Sequence, residues 1–192
     1  MRESPTVPIT VPVKVSKSNG AIERTVRSWQ GQFRAMKSHL GEECGGPIEP
    51  KHPIWQWCAW WAAGILTRFA IRDLGRTAYE QTTGHRTKQP IGCFGEVVMW
   101  RKARKVCGAG KWDPEYHEGI FLGMSTAGVD YMVGTADGIQ YTQDVRRLPE
   151  GQRFNRECLS WVKESFETHV DPDIDEPIFE DIIPPPEPHI RD

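Results

Sequence analysis

Ile22, Val26, Trp29, Phe33, Met36 and Leu40 recur at alternating spacings of four and three residues, which places all six on one face of a helix. Ser18, Asn19 and Gly20 supply capping chemistry ahead of that helix, and Gly41, Gly45, Gly46 and Pro47 end it. A second helix is expected after Pro53. Trp55, Trp57, Trp60 and Trp61 open it, and Ala62, Ala63, Ile65, Leu66, Phe69 and Ala70 continue it, so it is apolar nearly all round and belongs buried on more than one side. Thr77 to Thr83 fits a two-turn helix capped by Thr77 and stopped by Gly84.

The period changes after Pro90. Val97-Val98-Met99-Trp100, Gly119 to Gly123, Tyr131-Met132-Val133 and Ile139 to Thr142 are short β-prone runs separated by glycine, acidic or basic turns, the pattern of a small barrel or sandwich. Residues 1–17 hold Pro5, Pro8 and Pro12 among β-branched neighbours and read as an extended lead-in. Trp161, Val162 and Phe166 fit one further helical turn or two. Residues 168–192 carry six prolines and eight Asp or Glu, a composition that cannot bury enough apolar surface to offset its ordering entropy, so disorder is expected there.

Charge sharpens this division. Lys plus Arg is 24 and Asp plus Glu 26, a formal −2, yet residues 151–192 carry −7 and residues 1–150 carry +5. A basic body therefore precedes an acidic tail. Five cysteines without repeated spacing, and no secretory leader ahead of them, argue for a reducing compartment, nucleus or cytoplasm, over secretion. The most apolar run, Ile54 to Ile71, contains Gln56, Gly64, Thr67 and Arg68 and falls short of the roughly 20 predominantly apolar residues that a spanning helix needs, so no membrane partner is expected.

The polar side of the first helix repeats as regularly as its apolar side. Glu23, Arg27, Gln30, Arg34 and Lys37 form one stripe with Arg24 beside it, a carboxylate followed by a basic ladder. Glu23 is expected within the first turn, where the helix dipole and free backbone N–H groups favour its ionised form. A carboxylate beside a cationic row can ligate a divalent ion while the row holds phosphates. An ordinary solvated helix face gives the same stripe, and from the pattern alone that is the simpler reading. A second basic stretch, Arg101, Lys102, Arg104 and Lys105 with Lys111 beyond, fits phosphate contacts, a solvated hairpin loop or a nuclear-import signal.

Ser18-Asn19-Gly20-Ala21-Ile22-Glu23-Arg24 resembles the Asn-Gly-x-x-Glu-Arg signature that opens the last catalytic helix of retroviral and retrotransposon integrases. Further segments follow in the order of the copia type. Gly75-Arg76-Thr77-Ala78-Tyr79-Glu80 with Gly84 resembles its Gly-x-Thr-Pro-Tyr-Glu helix, with Ala78 where proline is usual, and Gly92-Cys93-Phe94-Gly95 resembles its Phe-Gly-Cys segment. Trp112-Asp113-Pro114, Glu118 to Gly123, and Asp144-Val145-Arg146 resemble strands of its Src-homology-3-like barrel. The matches span about residues 15–148.

This resemblance implies an α+β chain. Its parts are the extended lead-in (1–17), C-terminal helices of an RNase-H-like integrase core (18–72), a linker helix (73–90), a small SH3-like β barrel (91–150) and a mostly disordered acidic, proline-rich tail (151–192). It implies a parent activity of DNA integration by Mg²⁺-dependent strand transfer, with Glu23 as the third of three carboxylate metal ligands. The family's two Asp ligands lie upstream of this helix, and none of the 17 residues before Ser18 is Asp; its zinc-binding module is not seen either. Glu23 is accordingly read as a vestigial catalytic residue, no tightly bound Mg²⁺ is expected in this fragment, and the isolated chain is expected to lack strand-transfer activity.

What remains is weak, sequence-nonspecific binding of DNA or RNA through Arg24, Arg27, Gln30, Arg34, Lys37, Arg101, Lys102, Arg104 and Lys105, with the acidic tail competing for both patches. The alternative is a non-catalytic interaction module of the same ancestry. Helices shaped to pack on a sheet that this chain does not carry are expected to leave apolar faces open to self-association. The tryptophan cluster reads as core, Cys44, His52 and Cys58 as incidental rather than a zinc site, and His39, His85 and His117 as surface residues.

Overall fold

A computed structural model describes residues 16–72, 75–88, 92–102, 114–125, 130–164 and 166, with no account of the side chains of residues 16–19 and 21. Among the described residues the architecture is α+β: three α-helices and one antiparallel sheet.

The first helix, α1 (Ser16–Glu43), begins before the expected cap, so Asn19 and Gly20 lie inside it. A glycine in a helix costs about 1 kcal/mol relative to alanine, too little to stop one 28 residues long. Its other end is set by glycine. Gly45 (φ 72°) and Gly46 (φ 147°) turn the chain, Gly46 N–H donates to Gly41 O at 2.8 Å and Gly45 N–H to Glu42 O at 3.1 Å, so two late carbonyls are satisfied as the helix stops. Burial rises steadily along its apolar stripe. Ile22 is 63% and Val26 45% exposed, Trp29 and Phe33 are half-buried, and Met36 and Leu40 are in the core.

α2 (Ile54–Phe69) starts after Pro53 as expected and packs against α1, the sheet and the following short helix. Trp57 and Trp61 are fully buried, while Trp55 and Trp60 are half-buried, which places the tryptophan cluster in the core. α3 (Ala78–Thr83) is capped as the sequence requires: Thr77 Oγ1 accepts from Glu80 N–H at 3.1 Å, and Gly84 closes the helix at φ 75°.

The strands are β1 (Val97–Arg101), β2 (Tyr116–Met124), β3 (Tyr131–Thr135), β4 (Gly138–Thr142) and β5 (Val145–Arg147). The first four form a meander, and β5 returns to pair with β1, giving the order β4-β3-β2-β1-β5. Among the described residues the sheet is open, with β4 and β5 as its edges, where a barrel was expected. β5 offers only three residues for pairing, all of them matched to β1.

Gly123 sets how the sheet meets the helices. The register of β2 against β3 slips between Phe121 and Gly123, and Gly123 (φ 142°) brings its backbone against the Trp61 and Trp60 rings. Phe121 meets Trp61 edge to face at 6.0 Å between ring centres.

The fold continues past residue 150, where the acidic tail was expected to begin. Short 3-10 turns at Glu150–Gln152 and Glu157–Trp161 lead to Val162, and Cys158, Leu159 and Val162 are buried. Arg153 O accepts from Val97 N–H at 2.6 Å, and Phe166 lies against Trp57 and Trp60. The negative sum over 151–192 hid Cys158 and Leu159, although Trp161, Val162 and Phe166 were expected to add a helical turn. Of the lead-in expected over 1–17, residues 16 and 17 belong to α1 instead and 1–15 lie outside the described residues, as do residues 167–192.

Candidate nucleic-acid interface

Glu23, Arg24, Arg27, Gln30, Arg34 and Lys37 are all exposed on α1, with the Glu23-to-Lys37 stripe running along the flank of the apolar stripe that enters the core. Glu23 is not in the first turn. With Ser16 as the first residue it is the eighth, beyond the free N–H groups that would favour its charge. Its side chain is 61% exposed and faces Arg27 at 3.8 Å, an i,i+4 ion pair worth a few tenths of a kcal/mol at most. Among the described residues, no group of three His, Cys, Asp or Glu could hold a metal ion.

The rest of the ladder is partly engaged. Arg34 Nε donates to Gln30 O at 3.1 Å, and Lys37 Nζ stands 5.1 Å from the centre of the Trp55 ring. Both side chains keep their cationic ends on the solvent side, where they can meet phosphate oxygens without reading a base.

The second basic stretch is only partly described, because Arg104, Lys105 and Lys111 lie outside the described residues. Arg101 ends β1 and pairs with Glu115 at 2.9 Å. Lys102 borders a cavity of about 560 Å³ shared with Asp130, Tyr141, Gln143 and Asp144. Asp144 accepts from the Tyr116 hydroxyl, a bond that pushes the phenol above its ordinary value with desolvation adding to it, and Arg146 covers that ring at 4.2 Å. Acidic and basic groups alternate here, so Arg101 and Lys102 contribute less positive field than the sequence suggests. The two basic regions sit on separate elements, the solvent face of α1 and the end of β1.

Cys44, His52 and Cys58 were read as incidental, and His39, His85 and His117 as surface residues. Cys44 and Cys58 are buried, and burial pushes the Cys58 thiol up to about 12, which keeps it protonated. His52 Nδ1 accepts from Ile54 N–H at 3.2 Å. His39, His85 and His117 are exposed.

Three charged residues escaped the sequence reading. Glu96 is fully buried and paired with Arg147; Arg68 is buried, donates to Ser125 O and stacks on Tyr79 at 5.3 Å; and Arg156 donates to Gly46 O at 3.2 Å and Pro47 O at 2.8 Å just beyond α1. A lone carboxylate inside Phe94-Gly95-Glu96-Val97-Val98 was the available signal, since an isolated charge in a buried run requires a partner. No helix among the described residues is long and apolar enough to cross a membrane. No protein-family model matches the chain, and no curated protein matches it either.

Proposed function

We propose that this chain is a nucleic-acid-binding module derived from a copia-type retrotransposon integrase, corresponding to the last helices of the RNase-H-like core and the SH3-like domain that follows. The observation that carries the reading is α1: after the Asn-Gly-x-x-Glu-Arg segment, which ends at Arg24, it presents Arg27, Arg34 and Lys37 to solvent along one stripe. A four-strand meander whose fifth strand returns to the first supports the SH3-like part. The parent reaction is DNA integration, and the working compartment is the nucleus or cytoplasm.

Catalysis by this chain alone is not part of the proposal. Strand transfer needs carboxylates gathered around two Mg²⁺ ions, and among the described residues no such group forms, while Glu23 is exposed and faces Arg27. A single carboxylate does not fit such a site, so no step is routed through a metal.

Binding is tested by anisotropy of a labelled DNA duplex at 25–200 mM salt. The expected affinity is weak, insensitive to base sequence, and falls steeply with salt. Arg27→Glu/Arg34→Glu lowers it and flattens the salt slope, since each lost phosphate contact removes about one unit of slope. Equal binding by this variant would remove α1 from the interface and with it the reading.

A further inference from the structure

We propose that the groove between the C-terminal half of α1 and the loop leading into α2 is the docking site for this chain's own acidic, proline-rich segment, residues 168–192. The groove has a volume of about 650 Å³. Its floor is apolar, formed by Pro47, Ile48, Pro50 and Trp55, and Arg34 and Lys37 stand over it from α1. Glu42 also borders it, with its carboxylate accepting from Ser38 Oγ at 2.8 Å.

The walls are fixed without any ligand. Trp55 Nε1 donates to Glu49 O at 2.8 Å, Phe33 meets the Trp55 ring edge to face at 6.4 Å, and Arg156 holds the Pro47 carbonyl from outside the groove. Lys37 Nζ lies over the Trp55 ring, 5.1 Å from its centre, so the cation is held at the aromatic wall of the groove. A groove lined by aromatic and proline side chains takes extended proline-rich chains, and cations at its rim select acidic ones.

Residues 168–192 have that chemistry. Eight Asp or Glu against one Arg give the segment a charge of −7. Pro184, Pro185 and Pro186 have φ fixed near −65°, so an extended bound form costs little ordering entropy there. Reach is ample. The described fold ends at Phe166, against Trp57 and Trp60 of the same α2 that carries Trp55, and the 26 residues beyond span about 80 Å at roughly 3.1 Å each. Docking there occupies Arg34 and Lys37, so the segment and a polyanion exclude each other from that part of α1. The inference rests on groove and segment chemistry and stands apart from the ancestry.

The test is zero-length carbodiimide coupling of carboxylates to amines on the full chain at low salt, with the linked peptides mapped by mass spectrometry. The expected result is a link, within one chain, from Lys37 to a carboxylate between Asp171 and Glu187, several-fold more abundant than any link from exposed Lys88. It weakens several-fold at 0.5 M salt, in Arg34→Glu, and in Pro184→Gly/Pro185→Gly/Pro186→Gly, whose changes lie outside the described fold and leave it intact. Coupling of Lys37 no greater than that of Lys88, coupling found only between two chains, or yields unmoved by both variants would overturn the proposal.

Discussion

The Glu96 carboxylate, fully buried, is held from both oxygens by Arg147: Nε donates to Oε1 at 2.8 Å and Nη2 to Oε2 at 2.7 Å. The pair ties the segment entering β1 to β5, 51 residues later, on the edge where β5 has only three residues of pairing. Removing one partner leaves the other charge without compensation, whereas replacing both with apolar groups removes the desolvation cost as well. Arg147→Ala is expected to cost about 2 kcal/mol, below the 3–5 of a wholly buried pair because Arg147 is 40% exposed. Glu96→Leu/Arg147→Leu should recover at least half of that loss. Urea unfolding measures both; a double variant less stable than Arg147→Ala would show that the pair itself, and not the stranded charge, stabilises the edge.

Gly123 brings the sheet against Trp61 of α2. A Cβ on Gly123 would fall 2.8 Å from two Trp61 ring atoms, and its φ of 142° is one that side-chain-bearing residues rarely adopt. The ring is fully buried and cannot move aside. Gly123→Ala is expected to destabilise by about 3 kcal/mol, combining overpacking with backbone strain. Gly151→Ala, with nothing within 4 Å of the added carbon, should stay within about 0.5 kcal/mol of the parent. Equal midpoints for the two variants would mean that β2 can shift away from α2.

The residues that the sequence exposes most clearly are those whose chemistry is local. Thr77 and Gly84 bracket α3 because a cap hydroxyl and a left-handed turn act within four residues, and the Ile22-to-Leu40 stripe reports one helix face by spacing alone. Pairings across distance were not legible. Nothing near Glu96 in the sequence points to Arg147, and nothing near Arg156 shows that it reaches the carbonyls at the end of α1, 110 residues back. For the same reason Cys158 and Leu159 were read as tail, and Val162 only as part of a further helical turn: their burial depends on a sheet and on α2, which sequence spacing cannot bring to them. At the candidate interface, the exposed α1 ladder was legible from period; its start was not, and that displaced Glu23 from the first turn. The groove at Trp55 joins α1 to a loop, so it too needed coordinates.

His52 gives the fold a pH dependence of definite sign. Its burial lowers its pKa from the ordinary 6.5, against opposing contributions from the Glu49 charge and a hydrogen bond at the Leu159 backbone. The neutral ring is the one that the fold accommodates, since Nδ1 accepts from Ile54 N–H. With a folded pKa below the unfolded one, the unfolded chain binds the proton first, so this stabilisation is complete above pH 6.5 and is lost as pH falls through the folded value. His52→Asn keeps an acceptor for Ile54 without a titrating ring. The difference in urea midpoint between parent and variant should therefore be constant from pH 8 to 7 and shift in the variant's favour between pH 6.5 and 5. A pH-independent difference would exclude a titrating role for His52.

Ile22 and Val26 continue the apolar stripe of α1 beyond the point where the fold covers it, at 63% and 45% exposure. They are one turn apart, so a second copy laid along this stretch could bury both pairs, each side chain contributing about 1–2 kcal/mol. Arg24 and Arg27 border the same turns, and pairing two copies brings these cations together. Apolar burial strengthens and cationic repulsion is screened as salt rises, so self-association should increase with ionic strength, opposite to the trend for DNA binding. Sedimentation equilibrium at 0.05 and 0.5 M NaCl checks this. The parent should gain in mean mass at the higher salt, and Ile22→Lys/Val26→Lys should remain monomeric at both, with the same thermal midpoint as the parent because neither side chain is in the core. Association that weakens with salt would place the contact on charged groups instead and leave the stripe without a partner.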